Sequence, residues 1–206
     1  MPEGFIYALL MLLDGRVQQR EAVKIPGQLF GTHFGPLLMP LTMYQASAPR
    51  FANTLRNLSA ILDKAQAHAE AKKLDAATLT QARLFPDMFP LVRQVQIACD
   101  TAKFAVGRLA GLEIPKHEDT EQTFAELKAR IAKTLDFVES ARPAQIDGSE
   151  EKEITLKARG QDVKYKGQQY LLGHAYPHFY FHVTTAYNIL RHNGVELGKK
   201  DYIGTP

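Results

Sequence analysis

Apolar residues recur along the middle of the chain at the spacing of helices that bury one face. From Tyr44 they fall at Tyr44, Ala48, Phe51, Leu55, Leu58, Leu62, Ala65 and Ala69, a 4,3,4,3 pattern that predicts a first helix. After a polar break around Lys72 to Asp75 and a turn at Phe85-Pro86-Asp87, the spacing returns at Leu91, Val95, Ala98, Ala102, Ala105 and Leu109 and stops at Gly111, a second helix. Phe124, Leu127, Ile131, Leu135 and Val138 form the stripe of a third, with Asp119 or Thr120 as its cap, Glu118 and Glu121 near its positive end, and Arg142-Pro143 as its stop. Lys152 to Lys157 and Asp162 to Lys166 then alternate apolar with polar around Arg159-Gly160-Gln161, the pattern of a small β-hairpin. Two strands alone are marginal in water, so the hairpin is expected to lean across one end of the helices. A fourth helix is predicted from about Pro177, which suits a first turn, to His192, stopped by Asn193-Gly194. The expected fold is all-α: an antiparallel four-helix bundle in up-down-up-down order, with the hairpin inserted between helices three and four.

Residues 1 to 42 follow no such pattern, because glycine and proline interrupt every apolar run. They read as an irregular N-terminal extension, a loosely packed arm or an artefact of start-codon choice, with residues 43–206 as the bundle domain. Phe5 to Leu13 is too short to span a bilayer and lacks the basic start of a signal peptide. The net charge of +3 is spread along the chain, which speaks against a nucleic-acid partner. A single cysteine, Cys99, excludes an intramolecular disulfide and fits a reducing cytoplasm; among apolar helix neighbours it reads as a small hydrophobe, not a nucleophile.

The candidate chemistry lies between Gly173 and Gly194, where the densest aromatic run meets four of the seven histidines. His178 and His182 stand four apart, one turn above each other on one helix face, the spacing that lets two imidazoles share a metal ion. Gln94, at the edge of helix two's stripe, is the polar group placed to meet them, whereas Gln96 and Asp100 point away. In the alternating order His68 comes to the same level but projects off its stripe as a solvated residue. His192 reads as a favourable charge at a helix C-terminus, and nothing recommends His33 or His117. Tyr180, Phe181 and Tyr187 line either the core, an apolar pocket or a dimer face.

The strings Met43-Tyr-Gln-Ala-Ser47, Asn57-Leu-Ser-Ala-Ile-Leu-Asp-Lys-Ala65, Pro86 to Asp100, Phe124-Ala-Glu-Leu127 and Phe179 to Gly194 resemble the bacterial family called domain of unknown function nineteen-ninety-three, over about residues 43 to 204. That family is similar to the DinB-like four-helix bundles, many of which hold a divalent metal with one His from helix two and a His-x-x-x-His pair from helix four. His178 and His182 match the pair, and Gln94 stands where the helix-two His is expected; an amide is a poor ligand for a borderline metal. The resemblance implies a metal-dependent enzyme, related to thiol-dependent transferases and isomerases, with a degenerate Zn or Ni site formed by His178, His182 and Gln94. The alternative is a bundle that has lost the metal and binds a small molecule or forms a homodimer through Tyr180, Phe181 and Tyr187. Neither nucleic acid nor membrane is expected as a partner.

Overall fold

The structure, a computed structural model, describes residues 41–158 and 160–204. The expected extension thus lies, up to residue 40, outside the described residues, as does His33. Thr42, assigned to that extension from the pattern, caps the first helix: its hydroxyl accepts from Gln45 N–H and the Gln45 side chain accepts from Thr42 N–H.

The first stripe forms two helices, α1 (Met43–Ala46) and α2 (Ala48–Lys72), and the expected continuous helix is interrupted at Ser47. The cause is Pro49 in the first turn of α2, which has no N–H to continue the ladder. Ser47 bridges the break by donating its hydroxyl to Met43 O at 2.7 Å. Phe51, Leu55, Leu58, Leu62 and Ala65 are fully buried, as the stripe predicts. The polar break that follows contains a short helix, α3 (Ala76–Thr80), capped by Asp75. Helix α4 (Leu91–Ala110) ends at Gly111 in the left-handed conformation, φ 69°. Helix α5 (Phe124–Ser140) starts later than expected. Its cap is Thr123 in a reciprocal box with Glu126, because Asp119 is engaged by Arg93 and Arg130. A single turn, α6 (Pro143–Ile146), follows.

Strands β1 (Glu153–Ala158) and β2 (Gln161–Lys166) pair antiparallel, with Leu156 opposite Val163 and Gly160 at φ 80° in the connection. Arg159, expected in that turn, lies outside the described residues. Ile154 and Leu156 are buried, and Lys152 donates to the carbonyls of Arg108 (2.8 Å) and Leu109 (3.1 Å), satisfying the C-terminal end of α4. The hairpin therefore does lean on one end of the helices.

The fourth helix corrects the expected start at Pro177. It begins at Gly167 and runs through α7 (Gly167–Tyr170), a widened π turn (Leu171–Ala175) and α8 (Tyr176–His192), with helical backbone angles at each junction. Proline lacks an N–H and its ring crowds the carbonyl one turn back. Here the preceding turn is loosened: Tyr176 N–H bonds Leu171 O, five residues back, so Pro177 sits inside a helix it was expected to start. A last short helix, α9 (Lys199–Ile203), is tied to α2 by Asn57, which donates to Tyr202 O and Ile203 O.

Residue pairs fix the helix directions. Gln94, Thr101 and Arg108 of α4 meet His182, His178 and Tyr170 in turn, so α4 and the fourth helix are antiparallel. Arg56 with Glu139 and Asp63 with Lys128 make α2 antiparallel to α5. Gln96 with Glu121, Asp100 with Arg130, and Gly107 against Phe137 show α4 and α5 running the same way. Phe51 packs on Phe179 and His68 lies beside Gly194, so α2 and α8 are parallel. The order is up-down-down-up, not alternating as expected.

A candidate ligand site between helices α4 and α8

The π turn adds a third histidine to the expected pair. His174, His178 and His182 form a ladder along one face, with ring centroids 5.7 Å and 4.8 Å apart, and Tyr170 stacks on His174 at 5.8 Å. Facing them on α4 are Gln94, Thr101 and Arg108, spaced seven apart and so on one side of their helix.

The hydrogen bonds determine the tautomers of His178 and His182. Gln94 donates its amide Nε2 to Phe89 O at 3.0 Å, which leaves Oε1 as the acceptor for His182 Nδ1 at 2.7 Å. His182 must therefore carry its proton on Nδ1. Thr101 spends its hydroxyl proton on Ile97 O at 2.7 Å, so at 3.2 Å it accepts from His178 Nδ1, and that ring is Nδ1-protonated too. Both Nε2 atoms keep their lone pairs and have no protein partner among the described residues. Burial, with His178 and Arg93 nearby, pushes His182 down to about 4. Burial also lowers His178, aided by His174, and lowers His174, aided by Arg108. The three rings are neutral at physiological pH.

His174 and His178 border a cleft of about 240 Å³ lined also by Ile97, Thr101, Phe104, Arg108 and Tyr170 among others. Arg93 and Asp100 also reach it and are held from behind. Arg130 and Lys103, both fully buried, sit between α4, α5 and the link of residues 111–123. Arg130 pairs with Asp100 (3.0 Å), Asp119 (3.0 Å) and Glu121 (3.1 Å), Lys103 pairs with Asp100 (2.9 Å), and Arg93 pairs with Asp119. Three cations thus balance three carboxylates. Gln96 and Asp100, expected to point away from the core, belong to this network.

The structure brings Gln94 and His182 into direct contact, as expected, although the alternating order used to align them is wrong. It does not bring His68 there: His68 lies beside Gly194, in a groove with Lys64 and Lys72. Tyr180 packs against Tyr176 and Phe179, and Tyr187 against Tyr202, while Phe181 is 56% exposed beside His182. None of the three borders the His178 cleft. Positions 180 and 187 lie on the side of the helix opposite residue 178. Cys99 is buried, and burial pushes its thiol up to about 12, which removes it as a nucleophile.

For a metal, the imidazoles have the right preparation: ligating histidines commonly donate their second N–H to a protein acceptor, as His178 and His182 do. The donor count falls short. Gln94 has both ends of its amide engaged. Among the described residues no group of three or more His, Cys, Asp or Glu side chains is placed to hold a metal ion, whereas a catalytic zinc normally has three protein ligands.

Residues 43–203 match the family described as Domain of unknown function (DUF1993). None of the curated proteins matches the chain. Among solved structures, the crystal structure of a DinB family member protein from Shewanella denitrificans at 1.83 Å resolution is similar, at 48% sequence identity and a TM-score of 0.75, covering 79% of this chain and 92% of that chain.

Proposed function

The chain belongs to the DUF1993 family, and from that premise we propose that it is a DinB-like four-helix bundle whose cleft beside His178 binds a small molecule through neutral imidazoles, without a resident three-ligand metal. One observation carries the reading: Thr101 takes the Nδ1–H of His178, a ring that lines the cleft, and Gln94 takes that of the adjacent His182, leaving each Nε2 lone pair without a protein partner among the described residues. Such nitrogens accept a hydrogen bond from a ligand's O–H, N–H or S–H, and a neutral imidazole there can also receive that proton. In this reading Thr101 is a positioning residue that acts through His178. The metal-dependent transferase or isomerase chemistry implied by the resemblance needs a further donor.

Calorimetric titration of Zn²⁺ and Ni²⁺ into protein without a His tag tests the donor count. The parent should bind weakly, and His182→Ala should not bind. Tight one-to-one binding by the parent would overturn the reading. The reading also keeps the protein cytoplasmic, without nucleic-acid or membrane partners. In its support, no helix among the described residues is long and apolar enough to cross a membrane. Of the three aromatics proposed for a homodimer face, Phe181 is the exposed one.

A further inference from the structure

The cleft's electrostatics narrow the ligand. Three charged side chains line it, and two are neutralised from behind: Arg93 by Asp119, and Asp100 by Lys103 and Arg130. Arg108 is different. It has no carboxylate partner among the described residues, and its one hydrogen bond there is from Nη1 to the Tyr170 hydroxyl at 2.8 Å. Two aromatic faces hold the guanidinium, which lies 4.8 Å from the Phe104 ring centre and 5.7 Å from that of Tyr170. Four of its five N–H donors are therefore uncommitted to the protein, on a side chain held by stacking. An exposed arginine ordinarily gains nothing from such fixation, since water satisfies it in any rotamer. A fixed guanidinium fork inside a cleft is matched by an oxyanion that takes two parallel hydrogen bonds.

We propose that the cleft binds a small monocarboxylate, its carboxylate on Arg108, its apolar body against Ile97 and Phe104, and a hydrogen-bond donor at its far end on His178 Nε2. The inference rests on the ligand-binding reading above. A single free positive charge, with Arg93 and Asp100 neutralised from behind, matches a monoanion better than a dianion such as phosphate. Thr101, which orients His178, and Arg108 lie seven residues apart, about 10 Å along α4, so the ligand is elongated. His178 gives its Nδ1–H to Thr101, so its Nε2 reads the far end as a hydrogen-bond acceptor.

The probe is 4-hydroxyphenylacetate, added to the full-length ¹⁵N-labelled protein and followed by amide chemical shifts. Saturable shifts should centre on Thr101, Phe104 and His178. The neutral 4-hydroxyphenylacetamide should bind at least tenfold more weakly, phenylacetate, which lacks the hydroxyl donor, more weakly than the hydroxy acid, and inorganic phosphate should not compete. Arg108→Gln should weaken the carboxylate at least tenfold and leave the amide unaffected, while Arg83→Gln, outside the cleft, should change neither. Equal affinity for acid and amide, an unaffected Arg108→Gln variant, or displacement by phosphate would each overturn the carboxylate assignment while leaving a binding cleft in place. If neither acid nor amide shifts the cleft residues, the ligand-binding reading falls as well.

Discussion

His182 makes stability depend on pH in a way that one substitution isolates. In the unfolded chain its imidazole titrates near 6.5; in the fold, burial, the neighbouring His178 and Arg93 bring it to about 4. Between those values the unfolded state holds more protons than the native state, so stability is full above about pH 6.5 and is lost as pH falls toward 4. For one site with these two values, the linkage relation gives a loss of about 2 kcal/mol by pH 5. His174, His178 and His117 are also lowered and add losses of the same sign, so the parent's pH curve alone does not single out His182. His182→Asn removes the titration and keeps an N–H placed to donate to Gln94 Oε1. Urea unfolding of both proteins at pH 7.5 and pH 5 should show the parent losing about 2 kcal/mol more than the variant. Equal losses would mean that His182 becomes charged in the fold without cost, and the neutral, Gln94-bound imidazole would be refuted.

The core reading predicts that Leu58→Ala costs about 2–5 kcal/mol and Val95→Ala about 1–5 kcal/mol in urea unfolding, since both are fully buried, whereas Lys64→Ala, exposed and paired with Asp201, stays within about 0.5 kcal/mol. Similar small losses at all three would remove the stripes as the core. Arg130→Ala should cost about 3–5 kcal/mol, because it leaves Asp100, Asp119 and Glu121 with too few cations behind a fully buried position. A loss below about 1 kcal/mol would show that water already screens the network.

The site was half legible. The His178–His182 pair and Gln94 were readable because helical spacing puts side chains on a face whatever the rest of the fold does. His174 has the same spacing but falls outside a helix that starts at Pro177; the loosened turn that admits a proline in mid-helix depends on bonding that no residue pattern announces. The partners on α4 did carry a signal. Gln94, Thr101 and Arg108 recur every seven residues, a polar seam beside an apolar one. Thr101 and Arg108 each look like ordinary surface residues alone, and the seam acquires meaning only opposite the histidines.

The fold's stripes, the Gly111 stop and the hairpin were legible for the same local reasons, while the helix directions were not. Short links imply antiparallel neighbours, but the link before α5 is a long one. Residues 111–123, extended, can reach about 40 Å, and α5 is about 26 Å long, so the link is able to carry the chain back along the helices and start α5 parallel to α4. What favours that course is polar. Running back along α4, the link places Asp119 and Glu121 against Arg130 and lets Gln96 donate to Glu121. In the alternating order Arg130, which is fully buried, would be a cation missing carboxylate partners, a cost of several kcal/mol. The charges that look like scattered surface residues in the sequence thus favour the parallel pairing of α4 with α5, and the same pairing holds Arg93 and Asp100 neutralised, leaving Arg108 as the free cation of the cleft among the described residues.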